Sequence, residues 1–185
     1  SEVGPSPINF PAPMISIVSA MSYMLPPTPY QLSPMTSIPI LGVHIHTTSY
    51  AGATQRIINW AKAGESRMIC TANVHMVMEA HDNPGFKAIL NKADLVTPDG
   101  MPLVWMLRRL GFQEQKRVYG PDLMLHVLAA ARDAGIPVGF YGGKSEVLEA
   151  LVEKMVDQFP GLQVVYTYSP PFGAMKVSQT EQIMT

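Results

Sequence analysis

From residue 38 onward, short apolar runs that stop on small polar residues alternate with longer stretches whose apolar residues recur at helical spacing. That order constrains the fold more than any other feature of the chain. Successive strands separated by a helix are joined by crossovers and so run parallel, and right-handed crossovers lay the helices over the sheet. Residues 38–45 read as a first strand, and Thr47, Thr48 and Ser49 offer helix caps ahead of Ile57, Ile58 and Ala61. Further strands are expected over residues 67–71, 94–97, 136–141 and 162–168. Helices are expected over residues 74–80, from the Asn83-Pro84 pair onward, over 102–110 closed by Gly111, from Leu123 to the stop at Gly135, and over 146–159. The fold class expected is α/β: a Rossmann-like, doubly wound, mostly parallel sheet with helices on both faces.

Residues 1–37 differ in kind. Pro5, Pro7, Pro11, Pro13, Pro26, Pro27, Pro29 and Pro34 oppose regular structure, so this part reads as a flexible leader. Its apolar run, residues 14–25, is short of the roughly twenty residues that span a bilayer, and Glu2 is the one charged side chain before it, unlike a secretory signal. A plain tail is favoured there over a membrane-surface contact. The 185 residues, 47% hydrophobic, are enough for one sizeable core. A net charge of -1 argues against nucleic acid as a partner. The single cysteine, Cys70, excludes an internal disulfide framework and favours a reducing, cytoplasmic setting.

Chemistry is sought where strands end, because open α/β sheets bind ligands at the carboxyl ends of their strands. The runs Ile69-Cys70-Thr71-Ala72-Asn73 and Leu95-Val96-Thr97-Pro98-Asp99-Gly100 have that form. Thr71 and Asn73, two apart, are expected on one side, with Asp99 in a turn beside them. Asp99 has three readings: turn residue, cap of the following helix, or general base. Gly142-Gly143-Lys144-Ser145 ends like a P-loop, but Val138 stands where the first glycine is required. Gly142 and Gly143 could still admit a phosphate close to the backbone at the next helix start, or simply make a tight turn followed by a solvated Lys144. Arg117 is a second candidate cation for phosphate, whereas Lys116, Arg108 and Arg109 read as solvated charges. No G-x-G-x-x-G follows a strand, no nucleophile elbow is present, and His44 with His46 supplies only two ligands, so no metal site is expected.

These stretches resemble the WecG/TagA/CpsF family of bacterial glycosyltransferases. The resemblance is carried by Ile40-Leu41-Gly42-Val43, Thr71-Ala72-Asn73, Ala93-Asp94-Leu95-Val96-Thr97-Pro98-Asp99-Gly100, Arg117-Val118-Tyr119-Gly120-Pro121-Asp122, Gly142-Gly143-Lys144 and Phe159-Pro160-Gly161-Leu162, in matching order and spacing. Residues 91–105 look most like the cyanobacterial branch. The resemblance implies inverting transfer of N-acetylmannosamine or a related sugar from a UDP donor to a polyprenyl-diphosphate-linked acceptor, for extracellular polysaccharide or teichoic acid. It implies no cofactor beyond the donor substrate, a setting at the cytoplasmic membrane face with peripheral membrane contact, and a homo-oligomer as one form. It places the base on Asp99 and substrate contacts on Thr71, Asn73, Arg117, Asp122, Gly142, Gly143 and Lys144. His46 stands where such chains commonly carry Asp. The likeness is read over residues 38–172, with 173–185 as a divergent tail, so the expectation from sequence is a truncated chain lacking part of the donor site and its membrane anchor, and possessing negligible activity. The rival expectation is a non-catalytic nucleotide-sugar-binding or interaction protein. An unrelated Rossmann-like nucleotide binder is third.

Overall fold

The computed structural model describes residues 35–170 and, for their backbone, residues 15–17. Seven strands and six helices occur among them, in the order β1 (Ile15–Ile17), β2 (Ser37–Ile40), β3 (Val43–His46), α1 (Tyr50–Lys62), β4 (Ile69–Ala72), α2 (Val74–Asp82), α3 (Pro84–Leu90), β5 (Leu95–Pro98), α4 (Met101–Arg109), α5 (Gly120–Ala134), β6 (Val138–Tyr141), α6 (Ser145–Gln158) and β7 (Val164–Tyr168). The fold is mixed α/β, with parallel strands and flanking helices. Strand β4 pairs parallel with β5, placing Thr71 opposite Thr97, and β6 pairs parallel with β7.

Two expectations are corrected. The segment 38–45 is not one strand but a hairpin, with β2 antiparallel to β3 and Ile40 opposite Val43. Leu41 and Gly42 both have positive φ, 50° and 82°, as a two-residue hairpin turn demands. The first of these positions costs a leucine strain, and Asn91 offsets it from α3's end: its Nδ2 donates to the Gly42 carbonyl at 2.8 Å while its Oδ1 accepts from the His44 amide at 3.0 Å. The second correction concerns the leader, since Ile15–Ile17 forms β1, parallel to Val138–Phe140. The remaining expectations for residues 1–34, and those for 171–185, lie outside the described residues.

Local chemistry explains the helix boundaries. Ser49 caps α1 by accepting from the Gly52 amide, Asn73 caps α2 through the Met76 amide, and Asn83 caps α3 through the Phe86 amide with Pro84 in its first turn. Gly135, at φ 63°, ends α5 in the left-handed conformation that only glycine adopts freely.

The helices bury two sets of side chains. One core joins Ile57 and Ala61 of α1, Leu123 and Leu128 of α5, Leu148 and Met155 of α6, and Val138 and Phe140 of β6. The other joins Val77 of α2, Leu90 of α3, Leu103 and Leu107 of α4, and Val43 and Ile45 of β3. Strand β5 links them: Leu95 enters the first core and its neighbour Val96 the second, as the alternation of a strand requires. The end of β5 is thereby fixed from both sides, and Asp99 follows it directly.

Candidate functional site at the ends of β4 and β5

Strand β5 stops at Pro98, and the Asp99 amide donates to the Ala72 carbonyl at 2.9 Å, tying the turn to the end of β4. The cap of α4 is Gly100, with no side-chain hydrogen bond, so the capping reading of Asp99 fails. Its carboxylate turns instead towards the segment before α5. Oδ1 meets Arg117 Nη2 at 2.9 Å, Oδ2 accepts from the Gly120 amide at 3.1 Å, and Arg117 Nε donates to the Asp99 carbonyl. Gly120 is the first residue of α5, whose own cap residue, Tyr119, makes no side-chain bond. Asp99 therefore supplies the anion at that helix start from 21 residues away, where exposed amides and the helix dipole favour negative charge. This partnership was not foreseen from the sequence; the signal was a Gly-Pro helix start with no Ser, Thr, Asn or Asp before it.

Thr71 and Asn73 join the same cluster by different routes. Thr71 lies against Gly120, where an added Cβ would fall 3.0 Å from the threonine Oγ1, so glycine is what lets α5 approach β4. Asn73 sits past the strand end as the cap of α2, its Oδ1 spent on the Met76 amide at 3.0 Å, which leaves its Nδ2 as the donor for another group. Gly100 passes close enough that a Cβ there would stand 3.4 Å from Asn73 Cα. The side chain of Asp99 is 13% exposed and that of Arg117 43%, so the carboxylate is largely enclosed while the guanidinium that holds it is open to solvent. Arg117 also lies over the Tyr119 ring, 4.2 Å from its centre.

Asp122 is engaged with a residue the sequence reading missed. Tyr50, the first residue of α1, donates its hydroxyl to Asp122 Oδ2 at 3.1 Å and accepts the Tyr119 amide at 3.0 Å, while its ring stacks on His126 at 5.0 Å. Burial, more than the Asp122 charge beside it, raises the Tyr50 phenol above its ordinary value, so it remains a proton donor. Tyr50 thus fixes the backbone that presents Gly120 and Arg117 to Asp99.

Gly142, Gly143 and Lys144 form the turn from β6 to α6. Gly142 has φ 115° and donates its amide to the Tyr168 carbonyl at 2.9 Å. Gly143, at φ 73°, accepts from Ser169 Oγ at 2.7 Å through its carbonyl, and Lys144 is the extended cap residue of α6, with no side-chain capping bond. Among the described residues no hydrogen bond or ion pair joins this turn to Asp99. A groove of about 440 Å³ beside it runs between α6 and β7, lined by Ser145, Leu148, Glu149, Glu153, Thr167 and Ser169. Two glutamates make that groove a poor seat for a diphosphate.

The His44 and His46 rings serve the fold. His44 Nδ1 is 3.0 Å from Ser37 Oγ, and His46 Nδ1 accepts the Val96 amide at 2.9 Å, a side-chain link from β3 to β5. Among the described residues no three His, Cys, Asp or Glu side chains gather as a metal site, and no helix is long and apolar enough to cross a membrane.

Comparison with known proteins agrees with the motif pattern. The model of the glycosyl transferase WecG/TagA/CpsF family matches residues 38–185. The match runs on past Phe172, which corrects the reading of residues 173–185 as a tail unlike the family. An N-acetylglucosaminyldiphosphoundecaprenol N-acetyl-beta-D-mannosaminyltransferase of Bacillus spizizenii (strain W23) is 34% identical over 96 residues, covering 52% of this chain and 37% of that protein. A protein of the same description from Bacillus subtilis (strain 168) is 25% identical over 97 residues, covering 52% and 38%. The matched stretch spans little more than a third of either relative.

Proposed function

The chain belongs to the WecG/TagA/CpsF family of glycosyltransferases, and from that premise we propose that it moves N-acetylmannosamine or a related hexose from a UDP donor to a polyprenyl-diphosphate-linked sugar, with inversion, at the cytoplasmic face of a membrane. The observation that supports this most is the carboxylate of Asp99, held on a strand end by a guanidinium and a helix-start amide. The described relatives, named for transfer to a diphosphoundecaprenol-linked acceptor, support the substrate class. The sheet is read as doubly wound, its strand ends gathering donor and acceptor.

In this reading Asp99 removes the proton from the attacking hydroxyl. Each carboxylate oxygen holds one partner and keeps a second lone pair for the incoming proton, and the partners fix its orientation before substrate arrives. A positioned base contributes roughly 10²- to 10⁴-fold. Arg117 binds Asp99 through Nε and Nη2, which leaves its Nη1 donors for the departing diphosphate. Thr71 and Asn73 Nδ2 contact the donor sugar or its phosphate. Asp122 acts through Tyr50 on the same turn, and Gly143 with the first amides of α6 and Lys144 takes the nucleotide end, Gly142 shaping the turn.

The test is transfer from UDP-N-acetylmannosamine to a short-chain polyprenyl-diphosphate N-acetylglucosamine, followed by mass spectrometry of the product. Asp99→Asn is expected to lower turnover by about 10²-fold or more with UDP affinity retained. Normal turnover by that variant would remove Asp99 from the chemistry. A folded chain that binds UDP-sugar and never transfers it would favour the rival reading of a nucleotide-sugar-binding protein.

A further inference from the structure

Helix α4 leaves the candidate base directly, with Gly100 as its cap residue. It buries Leu103, Val104 and Leu107. Its other face carries large apolar side chains in the open: Trp105 is 59% exposed, Leu110 just after the helix 52%, Met106 44% and Met101 37%. Met101 and Trp105 are four apart, as are Met106 and Leu110, so they form two rows on the exposed side of the helix, with Pro102 and Arg109 between them. Arg108 and Arg109 occupy the last turn, and residues 100–110 contain no acidic side chain. Arg108 is engaged with the Gln115 carbonyl, so among the described residues the exposed face consists of two apolar rows with one free-standing cation, Arg109, between them and no anion. Such a helix face is suited to meet something apolar that carries anionic groups.

We propose that α4 is a membrane-docking face, lying on the surface of an anionic bilayer with Met101, Trp105, Met106 and Leu110 at the headgroup boundary and Arg109 against lipid phosphate. Charge complementarity selects this occupant. A soluble apolar partner would have no use for Arg109, and a nucleic acid no use for the four apolar groups. Tryptophan, with an apolar ring and one N–H donor, is the side chain that interfaces favour. Placement adds a functional reason that rests on the proposed reaction. An acceptor carried on a polyprenyl diphosphate stays in the bilayer, and a helix that rests on the bilayer at one face and starts beside Asp99 brings the acceptor hydroxyl to the base without extracting the lipid.

The experiment uses the full chain and vesicles of phosphatidylcholine with and without phosphatidylglycerol. Binding is read by sedimentation and by the emission of Trp105, isolated in a Trp60→Phe background, with Trp105→Phe in the otherwise unaltered chain as the converse control. The expected result is phosphatidylglycerol-dependent binding, a blue shift of Trp105 that bromine-labelled lipid quenches, and a loss of vesicle partitioning of about tenfold or more in Trp105→Glu. Trp105→Glu is also expected to spare transfer to a water-soluble short-chain acceptor while lowering transfer to a vesicle-borne one. Absent binding, binding that leaves Trp105 emission unchanged, or burial of Trp105 by self-association without vesicles would each overturn the proposal. Failure of transfer to both acceptors in the unaltered chain would count against the proposed reaction, and the vesicle result would still decide the role of α4.

Discussion

Acid is expected to weaken this fold through His46. The imidazole is half-buried between β3 and β5, and its Nδ1 accepts the Val96 amide, a role that requires an unprotonated nitrogen. Burial, chiefly, and the neighbouring His44 lower its pKa below the ordinary 6.5. Between that folded value and 6.5 the unfolded chain binds the extra proton, so stability rises with pH across the window. The contribution is complete above about 6.5 and disappears as pH falls through the folded value. One proton of difference gives a slope of at most about 1.4 kcal/mol per pH unit. His126, also lowered by burial although Asp122 opposes the shift, adds to the same slope. Asp94, lowered first by the Met68 amide and then by Arg67, titrates below its ordinary 3.8 and so leaves this window clean. The variant that isolates His46 is His46→Asn, whose Oδ1 replaces the acceptor without titrating. Urea unfolding followed by tryptophan emission at about pH 7.5 and about pH 5 is expected to show a larger loss of stability in the unaltered chain than in His46→Asn over the same interval. Equal losses in the two proteins would show that the β3–β5 link does not sense protons.

Arg117→Lys keeps the charge but cannot reproduce the Nε and Nη2 pair or the stacking on Tyr119. It is expected to lower turnover by about 10- to 100-fold, and to change stability by under about 1 kcal/mol because the pair is partly exposed, measured as initial rate beside urea midpoint. Tyr50→Phe deletes the hydroxyl shared by Tyr119 and Asp122 while keeping the ring on His126, at an expected cost of about 1–2 kcal/mol. Combined with Asp122→Asn the cost should be less than the sum; strict additivity would deny the link. Gln115 is buried, and its amide accepts from Thr48 N–H at 3.1 Å and donates to the Thr48 carbonyl at 2.7 Å. Gln115→Leu leaves both backbone groups unpaired and is expected to lower stability by about 2–4 kcal/mol in the same unfolding assay.

Element order was legible in the sequence because it is written in local patterns. Ser49, Asn73 and Asn83 act as caps, Gly111 and Gly135 follow the ends of α4 and α5, and the apolar spacing of α1 and α5 matches the faces they bury. The β2–β3 hairpin was hidden because Leu41 stands where Asn or Asp would announce such a turn, and what holds it there is Asn91, about fifty residues on. The site shows the same division. Asp99, Thr71 and Asn73 could be named from strand-end chemistry and Arg117 from its charge. Tyr50 and Gln115 could not, since a tyrosine at a helix start and a glutamine in a charged loop carry no local mark of their partners 69 and 67 residues away.

The spacing between the 93–100 and 117–122 motifs has a physical origin in the same contacts. The Val118 amide donates to the Pro98 carbonyl at 3.0 Å, and Thr97 Oγ1 donates to the Val118 carbonyl at 3.4 Å, so the segment leading into α5 is zipped along the end of β5. That register sets Arg117 and Gly120 on either side of the carboxylate. Tyr50 then holds the far side of the segment from α1, which packs on α5 in the first core. Asp99 alone, in a Pro-Asp-Gly turn, is an ordinary turn residue free to rotate. Its two carboxylate bonds come from groups 18 and 21 residues later, so it acquires a fixed direction only once α5 has docked on α1 and β4. The orientation of the proposed base is thus a product of tertiary packing, and substitutions at Gly120 or Tyr50 that loosen α5 should reach the chemistry without touching Asp99.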